Sequence, residues 1–136
     1  YTLAGIWVHA GTAKFVTTLE QMNNKPVWHF TGTGETLPSY DWIFKVRDRY
    51  ESYVDTQTMQ PVKFIRNVDE GKYKKHENVT FNRTTNTAIA KDGVFKVPTC
   101  VQDVMSQVYY ARNINFDKYN PGDKVTFDIF LDNEVY

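Results

Sequence analysis

Apolar and polar side chains alternate over most of this chain, and Gly, Asn, Asp or Pro interrupts them about every ten residues, as in an antiparallel sheet with short turns. Tyr1–His9 alternates weakly, with Leu3, Gly5 and Trp7 against Ala4, Ile6 and Val8, and predicts a strand buried on both faces. Thr12–Gln21 then places Ala13, Phe15, Thr17 and Leu19 on one face. Met22-Asn23-Asn24-Lys25 has turn chemistry, and Pro26 opens the return strand Val27–Gly34. The register that sets Leu19 against Trp28, Thr17 against Phe30 and Phe15 against Gly32 gathers the large apolar groups on one face. Leu37-Pro38-Ser39 ends this hairpin, and Tyr40–Phe44 makes an irregular corner.

The centre of the chain, Asp41–Phe81, reads as a three-strand meander. Phe44, Val46 and Val54 fix the inward parity of its first strand, which carries Asp48, Tyr50 and Ser52 inward as well. The second strand turns Val62, Phe64, Arg66 and Val68 to the same face, and Gly71-Lys72 suits a type II′ turn into the third. Pairing Val54 with Val62 sets Tyr50 opposite Arg66 with Asp48 diagonal to it. Pairing Val62 with Phe81 and Phe64 with Val79 sets Arg66 opposite Glu77 and Val68 opposite Lys75. Two short strands follow, near Thr87–Lys91 and Val94–Val97, around the pair Asp92-Gly93.

Only one segment has a helical period. Val101, Val104, Met105, Val108 and Arg112 follow the i, i+3, i+4, i+7 spacing, Thr99 with Gln102 suggests a capping box, and Asn113 a left-handed end. A helix over Val101–Asn113 packs its Val/Met stripe on the sheet. Pro121-Gly122-Asp123 turns the chain into a last strand, Lys124–Leu131, with Val125, Phe127, Ile129 and Leu131 on one side. The expected fold is mainly β: a curved antiparallel sheet of roughly eight strands, a half-barrel or open barrel, with one packed α-helix near residues 101–113. Residues 1–136 form a single β-rich domain, and the unpartnered last strand suggests the N-terminal part of a longer protein.

Composition agrees with the pattern. Fifteen Val, fifteen Thr, nine Tyr and nine Phe stand against four Leu and six Ala, a balance that suits strands over helices. Sixteen basic and sixteen acidic residues cancel, so there is no long-range field to collect phosphates, and nucleic acid is not an expected partner. No apolar run approaches the roughly 18 residues of a transmembrane helix. Cys100 is the single cysteine, which leaves no intrachain disulfide, and no Cys/His cluster has metal spacing. No cofactor motif is present. His9, His29 and His76 stand singly on different strands and are expected to be surface or core residues. Cys100 is expected to be incidental, and Trp7, Trp28 and Trp42 to serve core packing.

The candidate chemistry is the polar group that the meander turns inward: Asp48, Tyr50, Arg66, Lys75 and Glu77. Two carboxylates and two cations balance there beneath an aromatic ring, with Arg66 as pivot because it faces both carboxylates and the ring. Such charges either stabilise the inner face of a curved sheet or receive a polar ligand headgroup.

The runs DWIFKVRDRYESYVD, RNVDEGKYKK, FNRTTN, QDVMSQVYYARN and PGDKVTFDIFLDNEVY together resemble a domain-of-unknown-function family of exported proteins of Gram-negative bacteria. The resemblance covers nearly the whole chain. It implies a signal peptide removed before Tyr1, a location in the periplasm or on the periplasmic face of the outer membrane, and a curved sheet like the YmcC-like or lipoprotein-carrier half-barrels. It also implies a longer protein that continues past Tyr136, and it brings no catalytic residue. The leading expectation is therefore a non-catalytic envelope module that binds or carries a small amphipathic or glycan ligand on a concave sheet. A structural or assembly component that pairs with another envelope protein through sheet edges is the alternative, and an enzyme using Asp48 or Glu77 is the third.

Overall fold

The computed structural model describes residues 10–136 together with the backbone of Thr2–Leu3 and Ile6–Trp7. The first two strands, β1 (Thr2–Leu3) and β2 (Ile6–Trp7), pair with each other in place of the single expected strand. The expected burial of that strand, and His9, lie outside the described residues. Seven strands form the main sheet: β3 (Gly11–Met22), β4 (Lys25–Thr36), β5 (Arg47–Asp55), β6 (Pro61–Glu70), β7 (Tyr73–Asn82), β8 (Thr87–Ala90) and β9 (Gly93–Lys96). Their spatial order is their chain order and every pairing is antiparallel, an open meander not closed into a barrel.

The turns follow from their residues. Asn23 and Asn24 both hold positive φ, 52° and 61°, as a two-residue turn between Met22 and Lys25 requires. Gly71 at φ 60° opens the expected Gly71-Lys72 turn. The β8–β9 turn is Lys91-Asp92, because Gly93 already pairs with Ala90. Leu19–Trp28, Thr17–Phe30 and Phe15–Gly32 are paired as the sequence pattern predicts. Tyr50–Arg66, Phe64–Val79, Arg66–Glu77 and Val68–Lys75 are paired as well.

One stretch departs from the expected register. Val54 pairs with Pro61, not with Val62, because β6 carries a bulge there, and the β6–β7 ladder begins at Lys63–Thr80, so Val62 does not pair with Phe81. A bulge places two residues opposite one and leaves the extra residue out of the ladder.

The inner face of the sheet buries Phe30, Val54, Phe64, Val79, Phe81 and Ala88. Two elements cover it. Helix α1 (Val104–Ala111) lies over β4 and β5, where Tyr109 stacks on Phe30 with ring centroids 3.7 Å apart. A C-terminal hairpin, β10 (Phe130–Leu131) with β11 (Glu134–Val135), covers the other half, and its Phe130 packs against Phe81 and Phe95 at 6.0 and 5.7 Å.

Both elements correct the sequence pattern at their boundaries. The helix begins at Val104 because Asp103, not Thr99, is the cap: its carboxylate accepts from the N–H groups of Met105 and Ser106, and Ser106 Oγ accepts from the Asp103 N–H. It ends at Ala111 with right-handed Arg112 as cap, and Asn113 is not left-handed. Val101 and Gln102 precede it outside the helix: the Val101 N–H closes a turn on the Pro98 carbonyl, and Gln102 bridges Ile129 in parallel and so tethers the hairpin. The expected strand Lys124–Leu131 is ordered as a strand only at Phe130–Leu131, and Phe130, on the opposite parity to Ile129 and Leu131, takes the buried position.

Candidate functional site

Where the helix leaves the sheet uncovered, a cleft of about 300 Å³ opens on the inner face, at the size where small-molecule pockets begin. Ala13 and Phe15 of β3 form one wall and Val104, Met105 and Val108 of α1 the other. Its floor is β4 backbone, because Gly32 and Gly34, two residues apart on one strand, expose the same face without side chains. At Gly32 a methyl group would meet Met105 Cε at 3.1 Å and Phe15 at 3.3 Å. At Gly34 it would meet nothing within 4 Å, so the floor there is open. Asp48 and Tyr50 of β5 supply the polar end.

Behind Tyr50 lies the ion network. Arg66 Cζ sits 5.8 Å from the Tyr50 ring centroid, and Arg66 Nη1 donates to Glu77 Oε2 at 2.9 Å and to Asp132 Oδ1 at 3.1 Å. The Asp132 N–H donates to Glu77 Oε1 at 3.1 Å, and Lys75 Nζ donates to Asp132 Oδ1. Asp132 and Asn133 form the tip of the β10–β11 hairpin with φ of 53° and 66°. The network is thus the clasp that fastens the hairpin to β6 and β7. The side chains of Arg66 and Glu77 are only 12% and 10% exposed, so their charges depend on each other. Burial lowers the Arg66 guanidinium's affinity for its proton, but Tyr50, Glu77 and Asp132 outweigh that and hold it charged. The hydrogen bond from Lys75 pulls the Asp132 carboxyl below the usual range, and burial raises the Tyr50 hydroxyl.

The sequence pattern placed Asp48 in this network, and the structure corrects it. Asp48 shares the inward face, but the β5–β6 ladder ends at Arg49–Asn67 and resumes only as an isolated Val46–Glu70 bridge. In that interval Asp48 Oδ1 accepts the N–H of Asp69 at 3.2 Å. A hydrogen bond to Asp48, together with burial, raises the Glu70 carboxyl. Asp132 takes the second-carboxylate role in its place. Tyr50, Arg66 and Glu77 come together as predicted, while Lys75 joins through Asp132. The pattern missed Asp132 because no rule of strand pairing reaches from β6 to a hairpin 66 residues away. The cleft left a fainter sign, two glycines at i and i+2 in a strand facing Phe15 across the hairpin.

A family described as protein of unknown function (DUF3108) matches residues 1–136. The chain belongs to that family. No curated protein and no solved structure matches it.

Two other clusters in this DUF3108 chain have structural roles. On the outer face His29 lies between Glu20 Oε1 at 2.7 Å and Glu51 Oε2 at 2.9 Å and stacks on Tyr53 at 4.2 Å, which stitches β3, β4 and β5 together. Beneath the helix, Ser52 Oγ donates to Asp103 Oδ2 at 2.6 Å, and burial pushes the Asp103 carboxyl up to about 6 against the pull of its hydrogen bonds. Among the described residues no group of three or more His, Cys, Asp or Glu side chains has the geometry of a metal site, and no helix is long and apolar enough to cross a membrane.

Proposed function

We propose that this DUF3108 chain is a non-catalytic binding or carrier module of the bacterial envelope. It takes the apolar part of a small amphipathic molecule into the cleft beside α1 and sets the molecule's polar group against Asp48 and Tyr50. The observation that carries this reading is the open floor at Gly34 in a cleft walled by Phe15, Val104, Met105 and Val108. Apolar walls with a few polar groups at one end suit an amphipathic ligand better than a glycan. In this reading Arg66, Lys75 and Glu77 act from behind, since Arg66 fixes the ring of Tyr50 and is itself held by Glu77 and Asp132. The envelope location rests on the resemblance of the chain's runs to exported proteins of Gram-negative bacteria.

The test uses Gly34→Ile. The position has no positive φ and open space around it, so a β-branched side chain fits the strand and fills the cleft. Native mass spectrometry of protein purified from its own host should show wild type with retained small-molecule mass, and Gly34→Ile without it at an unchanged melting temperature. Equal retention by the two proteins, or bare wild type, would overturn the reading.

A further inference from the structure

Among the described residues the sheet has one long edge on which no further strand or helix lies. β3 runs for twelve residues with continuous pairing to β4 and no bulge, and from Gly11 to Gln21 its residues are exposed on both faces. Phe15 and Leu19 are 63% and 61% exposed on the inner face. Edges of this length are ordinarily blunted by proline, by a bulge or by a covering element, and β3 between Gly11 and Met22 has neither of the first two. The opposite edge, β9, is four residues long.

Which backbone groups β3 offers follows from its hairpin. The Met22–Lys25 pair closes the two-residue turn and is therefore hydrogen-bonded, so the next pair, Gln21–Pro26, is not, which agrees with a proline that has no N–H to give. Hydrogen-bonded pairs alternate along an antiparallel ladder. Gln21, Leu19, Thr17, Phe15 and Ala13 accordingly turn their N–H and C=O groups away from β4 towards the open edge.

We propose that this edge joins a second copy of the same chain, antiparallel, about a two-fold axis through Thr17. The occupant is read from the strand itself. Only a pairing between residues whose backbone groups point outward can bond, which restricts the register to steps of two. The step centred on Thr17 sets Phe15 of each copy opposite Leu19 of the other on the inner face. It sets Lys14 opposite Glu20 on the outer face, twice by symmetry. One step either way sets Lys14 against Thr18 or Met22 and Phe15 against Thr17 or Gln21, and loses both complementarities. Glu20 is prepared for the contact: His29 and Thr18 both engage Oε1, which leaves Oε2 for a cation. Lys14 has no ion-pair partner among the described residues. The pairing joins two seven-stranded sheets into one and brings their Phe15-walled clefts to either side of the axis.

The experiment is a mixing test by sedimentation equilibrium on the intact chain. Wild type should dimerise with concentration. Lys14→Glu alone sets Glu against Glu20, and Glu20→Lys alone sets Lys14 against Lys, so each should weaken its homodimer about tenfold or more. An equimolar mixture of the two variants places opposite charges at both contacts and should recover the wild-type dimer. Thr17→Pro removes an outward N–H and one exposed hydrogen bond, from Thr17 Oγ1 to the Tyr109 hydroxyl, and leaves the bonds to β4 in place, so it should abolish the dimer while circular dichroism stays that of wild type. A wild type that remains monomeric up to millimolar concentration would overturn the proposal. So would single variants that dimerise as wild type does, or a mixture that fails to recover while both variants keep the wild-type circular dichroism. A dimer that survives Thr17→Pro would place the interface elsewhere, and partner capture by the wild-type monomer alone would assign the edge to another protein.

Discussion

At the scale of single residues, the buried carboxyl of Asp103 makes the clearest prediction. Its pKa of about 6 in the fold lies above the ordinary 3.8, chiefly because burial disfavours the charge. Between those values the folded protein keeps a proton that the unfolded chain has released, so stability falls as pH rises through the window. The contribution is fully present below about pH 4, is lost above about pH 6, and amounts to roughly 3 kcal/mol. Asp103→Asn keeps an acceptor for the helix N–H groups and cannot titrate. Urea unfolding at pH 4 and pH 7 should therefore show the variant gaining on wild type by that amount, and a difference independent of pH would count against it. Arg66 makes the second prediction. Arg66→Met strands Glu77 in a site where it is 10% exposed and should cost roughly 3 kcal/mol. Asp132→Asn, at the more exposed hairpin tip, should cost about 1 kcal/mol or less, since Asn tolerates the left-handed turn and the carboxylate is partly in water. Strand parity alone predicted that Arg66 meets Glu77 and Tyr50, because opposite residues on one face must be neighbours. Asp48 failed for a local reason: an unmade stretch of ladder beside it offered a backbone N–H.

At the scale of elements, the inner face is completed by two pieces that the chain adds after the sheet, and each covers one half. The hairpin is held by one large side chain and one clasp. Phe130→Ala should cost about 3–5 kcal/mol by urea unfolding, the range for removing a fully buried phenylalanine, because the site is lined by Phe81 and Phe95 and is 1% exposed. A loss below about 1 kcal/mol would show that the hairpin is not docked. Ile129→Ala, on the neighbouring parity, should cost clearly less. The helix was legible from its period but not from its first turn. Val101 keeps the spacing yet stands before the helix, at the end of a turn closed on the Pro98 carbonyl, since Asp103 is seated on Ser52 and supplies the cap there. Arg83 adds a tie that no motif announced, donating to the carbonyls of Pro61 and Val101 and so fixing the start of β6 to the approach to the helix.

At the scale of the whole molecule, a meander with neighbours in chain order leaves two edges, and only the β3 edge is long. Amide hydrogen exchange should report this directly. In dilute solution the N–H groups of Lys14, Val16, Thr18 and Glu20 face β4 and should be protected, while those of Phe15, Thr17 and Leu19 should exchange fast. At concentrations where the dimer forms, the second set should become protected as well. Uniform protection along β3 at all concentrations would show that another part of the protein already occupies the edge. Circular dichroism should show helix in well under a third of residues, as one eight-residue α-helix requires.

By itself the sequence determined the class of fold, most turns, the pairing within the first hairpin and most of the central meander, and, away from the β6 bulge and the last strand, the side of the sheet on which most side chains stand. Those features depend on period, on residues that accept positive φ, and on pairing between strands adjacent in the chain. The Leu19–Trp28 and Arg66–Glu77 pairs are both of this local kind. Only the tertiary structure decided what lies across the inner face. Asp132 displaced Asp48, Phe130 was buried in preference to Ile129 and Leu131, and the cleft stayed open at Gly34 because α1 stops short of it. Each of these depends on where a late segment lands on a sheet already formed. That landing is set by volume and partner geometry between distant residues, which the alternation of a single strand does not encode.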